Sequence, residues 1–235
     1  MQGKQPTLMI ACAVLRDVLN RREDTDLSIA FMDYGLHLTP KKMRAEIQSR
    51  IDVLETPHRI LIGFGLCGNG LAGLNAREHT LIIPRVDDCI SLFLGSREAY
   101  LRAFQAEPGT YYLTPGWLEC GGEPRTEYLK CRGKFGPDKA DFVADSMYRR
   151  YRKVCFIALT ADDLNRHRPA ALQVAAFCRQ RWGWQYEERI GSDALIRRLL
   201  DFARADGVGV PPQDAGELLI IGPGGEVQME HFMAK

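Results

Sequence analysis

The chain has 235 residues, 46% of them hydrophobic and 26% charged, with a formal net charge of +1. This balance supports a folded core and supplies no global field that would attract nucleic acid. Its apolar runs fall far short of the ~20 residues that span a bilayer, and Met-Gln-Gly-Lys-Gln-Pro at the start holds no signal-peptide core. A cytoplasmic protein with no nucleic-acid and no membrane partner is expected.

In chain order, Thr7 to Cys12 reads as a buried strand and Ala13 to Arg22 as a helix with Val14, Leu15 and Val18 on one face. Leu27 to Met32 is a second strand. Pro40 opens an amphipathic helix over Lys41 to Leu54, with Met43, Ile47, Ile51 and Leu54 inward. Arg59 to Phe64 and Thr80 to Ile83 are the third and fourth strands. Asp87 or Asp88 is placed to cap a helix over Cys89 to Leu94, and Ser96 to cap the next. Glu107 to Asp138 is rich in Gly, Pro and aromatics and reads as a long irregular segment, with a type II turn at Pro115-Gly116. Beyond it come a strand at Val154 to Leu159, a helix at Pro169 to Trp182, a strand at Gln185 to Ile190, a helix at Ser192 to Ala205 and a closing strand at Glu217 to Ile221.

Strands alternating with helices imply βαβ units and a mostly parallel, Rossmann-like α/β sheet, with two half-sheets plausible. The division expected is a first βαβ half over residues 1–106, a connecting segment over 107–152 and a second half over 153–235.

Gly63, Gly65 and Gly68 make a literal G-x-G-x-x-G after the third strand, and Asp87 follows Gly68 by 19 residues. A dinucleotide site needs its last glycine to open a full helix, whose amides hold the pyrophosphate. Here Asn69 to Arg77 leaves room for two turns at most and contains Gly70 and Gly73. Glycine has another use, a sharp turn that lets a group approach closely, and then Cys67 is what the turn presents.

Cysteines decide the rest of the reading. Cys12 ends the first strand, His37 lies after the second, Cys67 after the third and Cys89 after the fourth. In a parallel sheet all four lie at one edge, where open α/β sheets place their sites. Three thiolates and an imidazole suit tetrahedral zinc or an iron–sulfur cluster with an iron bound by His37 or left open to a small-molecule substrate. Iron–sulfur is preferred, because ligands from separate loops can frame an open iron. Two other readings stand beside it. The thiols can be small apolar fillers. Alternatively, Cys89 can be a metal-free nucleophile, its thiol lowered by a helix dipole and by Arg85, raised by Asp87 and Asp88, and served by His37 or His79 as base. Cys155 and Cys178 read as packing, Cys120 and Cys131 as outer ligands, and His58, His167 and His231 as surface residues. Tyr111, Tyr112 and Trp117 read either as a lid over a planar ligand or as anchors of a long loop.

The segments IACAVL, LHLTPKKMR, GFGLCGNGLAGL, IPRVDDCISLFLGS and GTYYLTPGWLE, spread from about residue 7 to 119, resemble the domain of unknown function (DUF) 1638 family. By that resemblance Cys12, His37, Cys67 and Cys89 fall on motif positions. Gly65, Gly68, Pro84, Arg85, Asp88, Gly95, Ser96, Tyr112, Pro115, Gly116 and Trp117 do so too. Many relatives carry a His before the Asp-Cys pair, where this chain has Asp87. Some members are encoded near corrinoid-dependent methyltransferase systems. The resemblance therefore implies a one-carbon or corrinoid context, with methyl- or sulfur-group chemistry, or else a non-catalytic accessory or carrier protein for such a system. Within it Cys12, Cys67, Cys89 and His37 are the expected metal ligands and His37, Asp88 and Arg85 the expected catalytic groups. Gly65, Gly68, Asn69, Tyr112 and Trp117 are expected to line a cofactor.

Overall fold

A computed structural model describes residues 5–21, 27–204 and 214–233. Strand β1 (Thr7–Cys12) pairs in parallel with β2 (Ser28–Met32) on one side and β3 (Arg59–Gly63) on the other. β4 (Thr80–Pro84) continues the parallel ladder beside β3. Ile60, Leu61, Ile62, Leu81 and Ile83 are fully buried. That is why these runs are apolar throughout rather than alternating: a parallel strand is covered on both faces.

Between strands lie α1 (Arg16–Asn20), entered through a 3-10 turn at Ala13–Leu15, and α2 (Pro40–Asp52). Arg22, the expected end of the first helix, lies outside the described residues. Proline at the first position of α2 costs no hydrogen bond there. Met43, Ile47 and Ile51 are fully buried on one stripe, contributing roughly 1.5–3 kcal/mol each. After β4 come the one-turn helix α3 (Ile90–Leu94) and α4 (Arg97–Ala106). The first turn of α4 donates the Arg97 amide to the Glu217 carboxylate at 2.7 Å.

Residues 107–138 are not irregular. They hold β5 (Thr110–Leu113), α5 (Pro115–Cys120) and α6 (Pro124–Phe135), and α7 (Pro137–Tyr148) starts within them. Each of these helices opens on a proline, so Pro115-Gly116 starts a helix rather than a type II turn. β6 (Lys153–Ala158) lies between β5 and β7 (Gln185–Ile190) in a parallel three-stranded sheet. α8 (Ala161–Trp182) is longer than expected: the Thr160 hydroxyl caps it by accepting from the Asp163 amide at 3.1 Å, and Pro169 lies inside it.

After α9 (Ala194–Arg204), which packs on β3 and β4, the chain returns to the first sheet. β8 (Asp214–Ala215) and β9 (Leu218–Ile221) extend that sheet, β9 running antiparallel to β4, so the order is β2-β1-β3-β4-β9-β8. The closing strand thus belongs to the first sheet and not to a second half. Ala205 lies outside the described residues.

The fold is α/β and Rossmann-like, with two compact units. One takes the chain up to Arg97 and again from Asp193, and the other takes Glu98–Ser192. These boundaries differ from the expected 106/107 and 152/153, because the chain returns to the first unit after Ser192. No helix among the described residues is long and apolar enough to cross a membrane.

Candidate functional site: a thiol cluster at the switch point

The strand order dictates where a site can form. From β1 the chain moves outward to β2, then crosses back to β3 on the other side of β1. The loops leaving β1 and β3 therefore diverge, opening the crevice in which α/β sheets bind ligands. Cys12, the last residue of β1, and Cys67, in the loop after β3, stand on the two sides of that switch point. Cys89 follows the next strand.

What draws Cys67 and Cys89 together is a backbone crossing. A Cβ on Gly65 would lie 2.6 Å from both Cα and C of Asp88, so only glycine lets the two loops touch. The crossing is held by the Leu66 amide donating to the Val86 carbonyl and the Cys67 amide to Asp87, each at 2.9 Å. Beyond it Cys67 (φ 46°), Gly68 (φ 62°) and Asn69 (φ 70°) are consecutively left-handed. For a non-glycine residue that conformation costs about 1–2 kcal/mol, and the Gly70 amide closes the turn onto the Leu66 carbonyl at 2.8 Å. The glycine run thus brings the Cys67 loop against the loop of Cys89.

The thiols feel one another. Burial first, then the charges of Cys12 and Asp88, push the Cys67 thiol up to about 12, against a smaller opposing hydrogen bond from the Gly65 backbone. Cys89 is pushed well up by burial, then by Cys67, Asp88 and Cys12. The expected helix-dipole activation of Cys89 does not occur. α3 has only five residues, and burial, with the charges of Cys67, Asp88 and Cys12, outweighs it. Among the described residues no group of three or more His, Cys, Asp or Glu stands where it could hold a metal ion.

Asp88 is both a charge on the thiols and the cap of α3, accepting from the Ile90 amide at 2.9 Å. Asp87 is exposed, 3.9 Å from the Arg97 guanidinium. Arg85 is tied to the closing strand and C-terminal turn: its amide donates to the Glu217 carbonyl at 2.8 Å and its Nε to the His231 carbonyl at 2.9 Å. His37 sits in a 3-10 turn at the same sheet edge. Its Nδ1 lies 2.6 Å from the Tyr34 carbonyl, so Nδ1 is the donor there. It is not among the groups whose charge acts on Cys67. His79 cannot serve these thiols as base, since it precedes β4 at the opposite edge, about 17 Å away along five residues.

Tyr112 and Trp117 belong to the second unit. Tyr112 meets Tyr100 with ring centroids 6.4 Å apart, and Trp117 packs on that unit's own core. Tyr111 is an anchor there, in edge contact with Tyr148 and Tyr151. Cys120 and Cys131 lie on α5 and α6 of that unit, and Cys155 is fully buried and hydrogen-bonded to Glu187. His167 is not a free surface group, because its Nε2 lies 3.1 Å from Glu119 and its Nδ1 3.0 Å from the Asp163 carbonyl.

A chain of this kind is an α/β protein whose candidate site is a set of coupled thiols at the switch point of its larger sheet. Over residues 31–200 it matches the family model described as protein of unknown function DUF1638, and it belongs to that family. His37, Cys67 and Cys89 fall within the matched residues, and Cys12 lies before them. No curated protein and no solved structure matches the chain.

Proposed function

We propose that this protein binds a soft metal centre through Cys12, Cys67 and Cys89, an iron–sulfur cluster ahead of zinc, and acts there on a small molecule. The observation that supports this reading is the mutual coupling of three thiols delivered by three loops at the switch point. As neutral thiols the three groups are buried cheaply, but as thiolates they would penalise one another unless a cation joined them. The donor set fits such a group in kind, being three soft sulfurs. In position it is not closed, so binding requires the side chains to draw together and the thiols to shed their protons.

An iron–sulfur centre with an open iron would supply Lewis-acid or one-electron chemistry, in keeping with methyl- or sulfur-group transfer on a small substrate in a corrinoid or one-carbon context. The chain's own residues then have separate tasks. Gly65 sets the spacing of the Cys67 and Cys89 loops, Asp88 fixes the start of α3 beside Cys89, and His37 supplies an imidazole at the same edge. A metal-free nucleophile is the weaker reading. A thiol at about 12 is ionised to roughly one part in 10⁵ at pH 7.

Anaerobic purification with iron, sulfide and zinc analysis, on wild type and Cys67→Ser, tests the proposal. Iron and sulfide in near-equal amounts, with visible charge-transfer absorbance lost in the variant, is the expected result. Stoichiometric zinc without colour would retain the soft-metal site and exchange the metal. Colourless, metal-free protein purified this way would overturn it.

A further inference from the structure

The second unit carries a groove that the thiol chemistry does not use. α6 and α7 form a hairpin that turns at Gly136, and between them lies a cavity of ≈ 290 Å³. Cys131 on α6 and Ala140, Val143, Ala144 and Met147 on α7 make its wall apolar. An apolar cavity of about 150 Å³ holds benzene, so this one has room for a body about twice that size. Apolar surface is also left in water at its mouth, where Phe135 is 50% and Met147 52% exposed. A concave apolar wall opening through exposed apolar side chains is the form of a small-molecule site.

The two ends of the groove differ in charge. At the hairpin end the Lys134 and Lys139 ammonium groups flank the Phe135 ring, 5.1 and 4.8 Å from its centroid. Neither lysine makes a hydrogen bond or salt bridge among the described residues, and together they outnumber Asp138 in the first turn of α7. The other end is acidic. Glu127 lines it, paired with Lys130 at 3.0 Å, and burial first, then the charge of Glu127, push the Tyr148 hydroxyl up. Glu127 and Lys134 are two turns apart on α6, about 10 Å along the axis. A ligand that follows the groove therefore has an extended apolar body, and any anionic group it bears belongs beside the lysines.

We propose that the groove between α6 and α7 binds a medium-chain aliphatic carboxylate, its hydrocarbon along Cys131, Val143, Ala144 and Met147 and its carboxylate at Lys134 and Lys139. The inference is independent of the thiol cluster. Octanoate is the probe, and methionine-methyl ¹H–¹³C correlation spectra of the full chain read the response, with the Met147 signal assigned through Met147→Leu. Octanoate should shift Met147 saturably at micromolar to millimolar concentration and leave Met9, fully buried in the first unit, unmoved. Butanoate should bind at least tenfold more weakly, since each buried methylene counts about fourfold, and octylammonium, with the charge reversed, at least fivefold more weakly. Lys134→Glu with Lys139→Glu, at two exposed positions, should weaken octanoate at least tenfold. Cys131→Phe, which fills the groove, should abolish the shift, and if that variant does not fold the double lysine variant decides. No saturable Met147 shift in the wild type would overturn the proposal, as would octanoate binding unchanged in the double variant or octylammonium binding as tightly. A Met147 signal that moves with protein concentration alone would overturn it too, by showing the groove covered by a second copy of the chain.

Discussion

Replacing Gly65 by alanine tests the crossing that assembles the thiol cluster. The added Cβ would fall 2.6 Å from Cα and C of Asp88 and 2.8 Å from its amide nitrogen. Carbon atoms prefer about 3.5–4.0 Å, so the two loops must part by roughly 1 Å, and backbone has no rotamer by which to yield. Overpacking of this kind costs about 1–3 kcal/mol. Losing the Leu66–Val86 and Cys67–Asp87 hydrogen bonds adds about 1 kcal/mol each. Denaturant unfolding of Gly65→Ala should therefore show a loss of about 3–5 kcal/mol. The thiols should respond as well, because parting the loops hydrates Cys67 and separates it from Asp88, lowering its pKa from about 12 toward the ordinary 9.0. Iodoacetamide alkylation at pH 8 should accelerate at least tenfold, since each unit of pKa multiplies the thiolate fraction by about ten. Gly133→Ala in α6, with nothing within 4 Å of the new Cβ, is the control and should gain a few tenths to about 1 kcal/mol. Gly65→Ala protein as stable as wild type, with unchanged thiol reactivity, would refute the crossing as the organiser of the site.

Three further outcomes follow from the same physics. Asp88→Asn keeps an oxygen for the Ile90 amide but removes a charge that raises both Cys67 and Cys89, so alkylation of both should quicken about 3–10-fold with little loss of stability. Cys67 binds its proton more tightly folded than unfolded, so its contribution to stability is intact below pH 9 and is lost as pH rises from 9.0 toward 12. The gap between wild type and Cys67→Ser in unfolding free energy should move in favour of the variant across that window, and parallel curves would contradict the assignment. In the second unit Lys153, 13% exposed, joins Glu107 to Glu187, the latter at 2.8 Å. Lys153→Met should cost about 1–2 kcal/mol by leaving two adjacent carboxylates, measured by thermal unfolding.

How much of this was legible in the chain depended on which physical signal each element carries. β1, β3 and β4 announce themselves because central parallel strands are apolar on both faces, and α2 because its three buried positions recur at helical spacing. The central helices were hidden by their own prolines. Pro115, Pro124 and Pro137 read as loop punctuation, whereas each occupies a first helical turn, where a missing amide proton costs nothing. Pro169 misled the other way, inviting a helix start at a point already inside α8. The return of β9 to the first sheet is a tertiary pairing that no local pattern encodes. At the site, the shared edge of the cysteines was legible from strand phase alone. The close approach of Gly65 to Asp88 was not, because a glycine required by a neighbour 23 positions away looks the same as one required by its own turn.

Spreading three sulfurs over three strands has a thermodynamic consequence that a Cys-x-x-Cys site would not have. Cys12 and Cys67 are 55 positions apart, and Cys67 and Cys89 are 22 apart. They meet only after β1, β3 and β4 have paired and the loops have crossed, so a centre they bind stabilises the folded first unit and has little affinity for the unfolded chain. If these thiols hold the proposed metal, removing it should lower the unfolding midpoint of the first unit specifically. Trp117, Trp182 and Trp184 are the three tryptophans of the chain and all lie in the second unit, so their fluorescence serves as an internal reference. Under anaerobic conditions a chelator should lower the midpoint read by alkylation of Cys12, Cys67 and Cys89 by more than the midpoint read by tryptophan. A first-unit midpoint that stays put while metal analysis shows the centre removed would mean that the sulfurs do not hold it, whatever their electrostatic coupling.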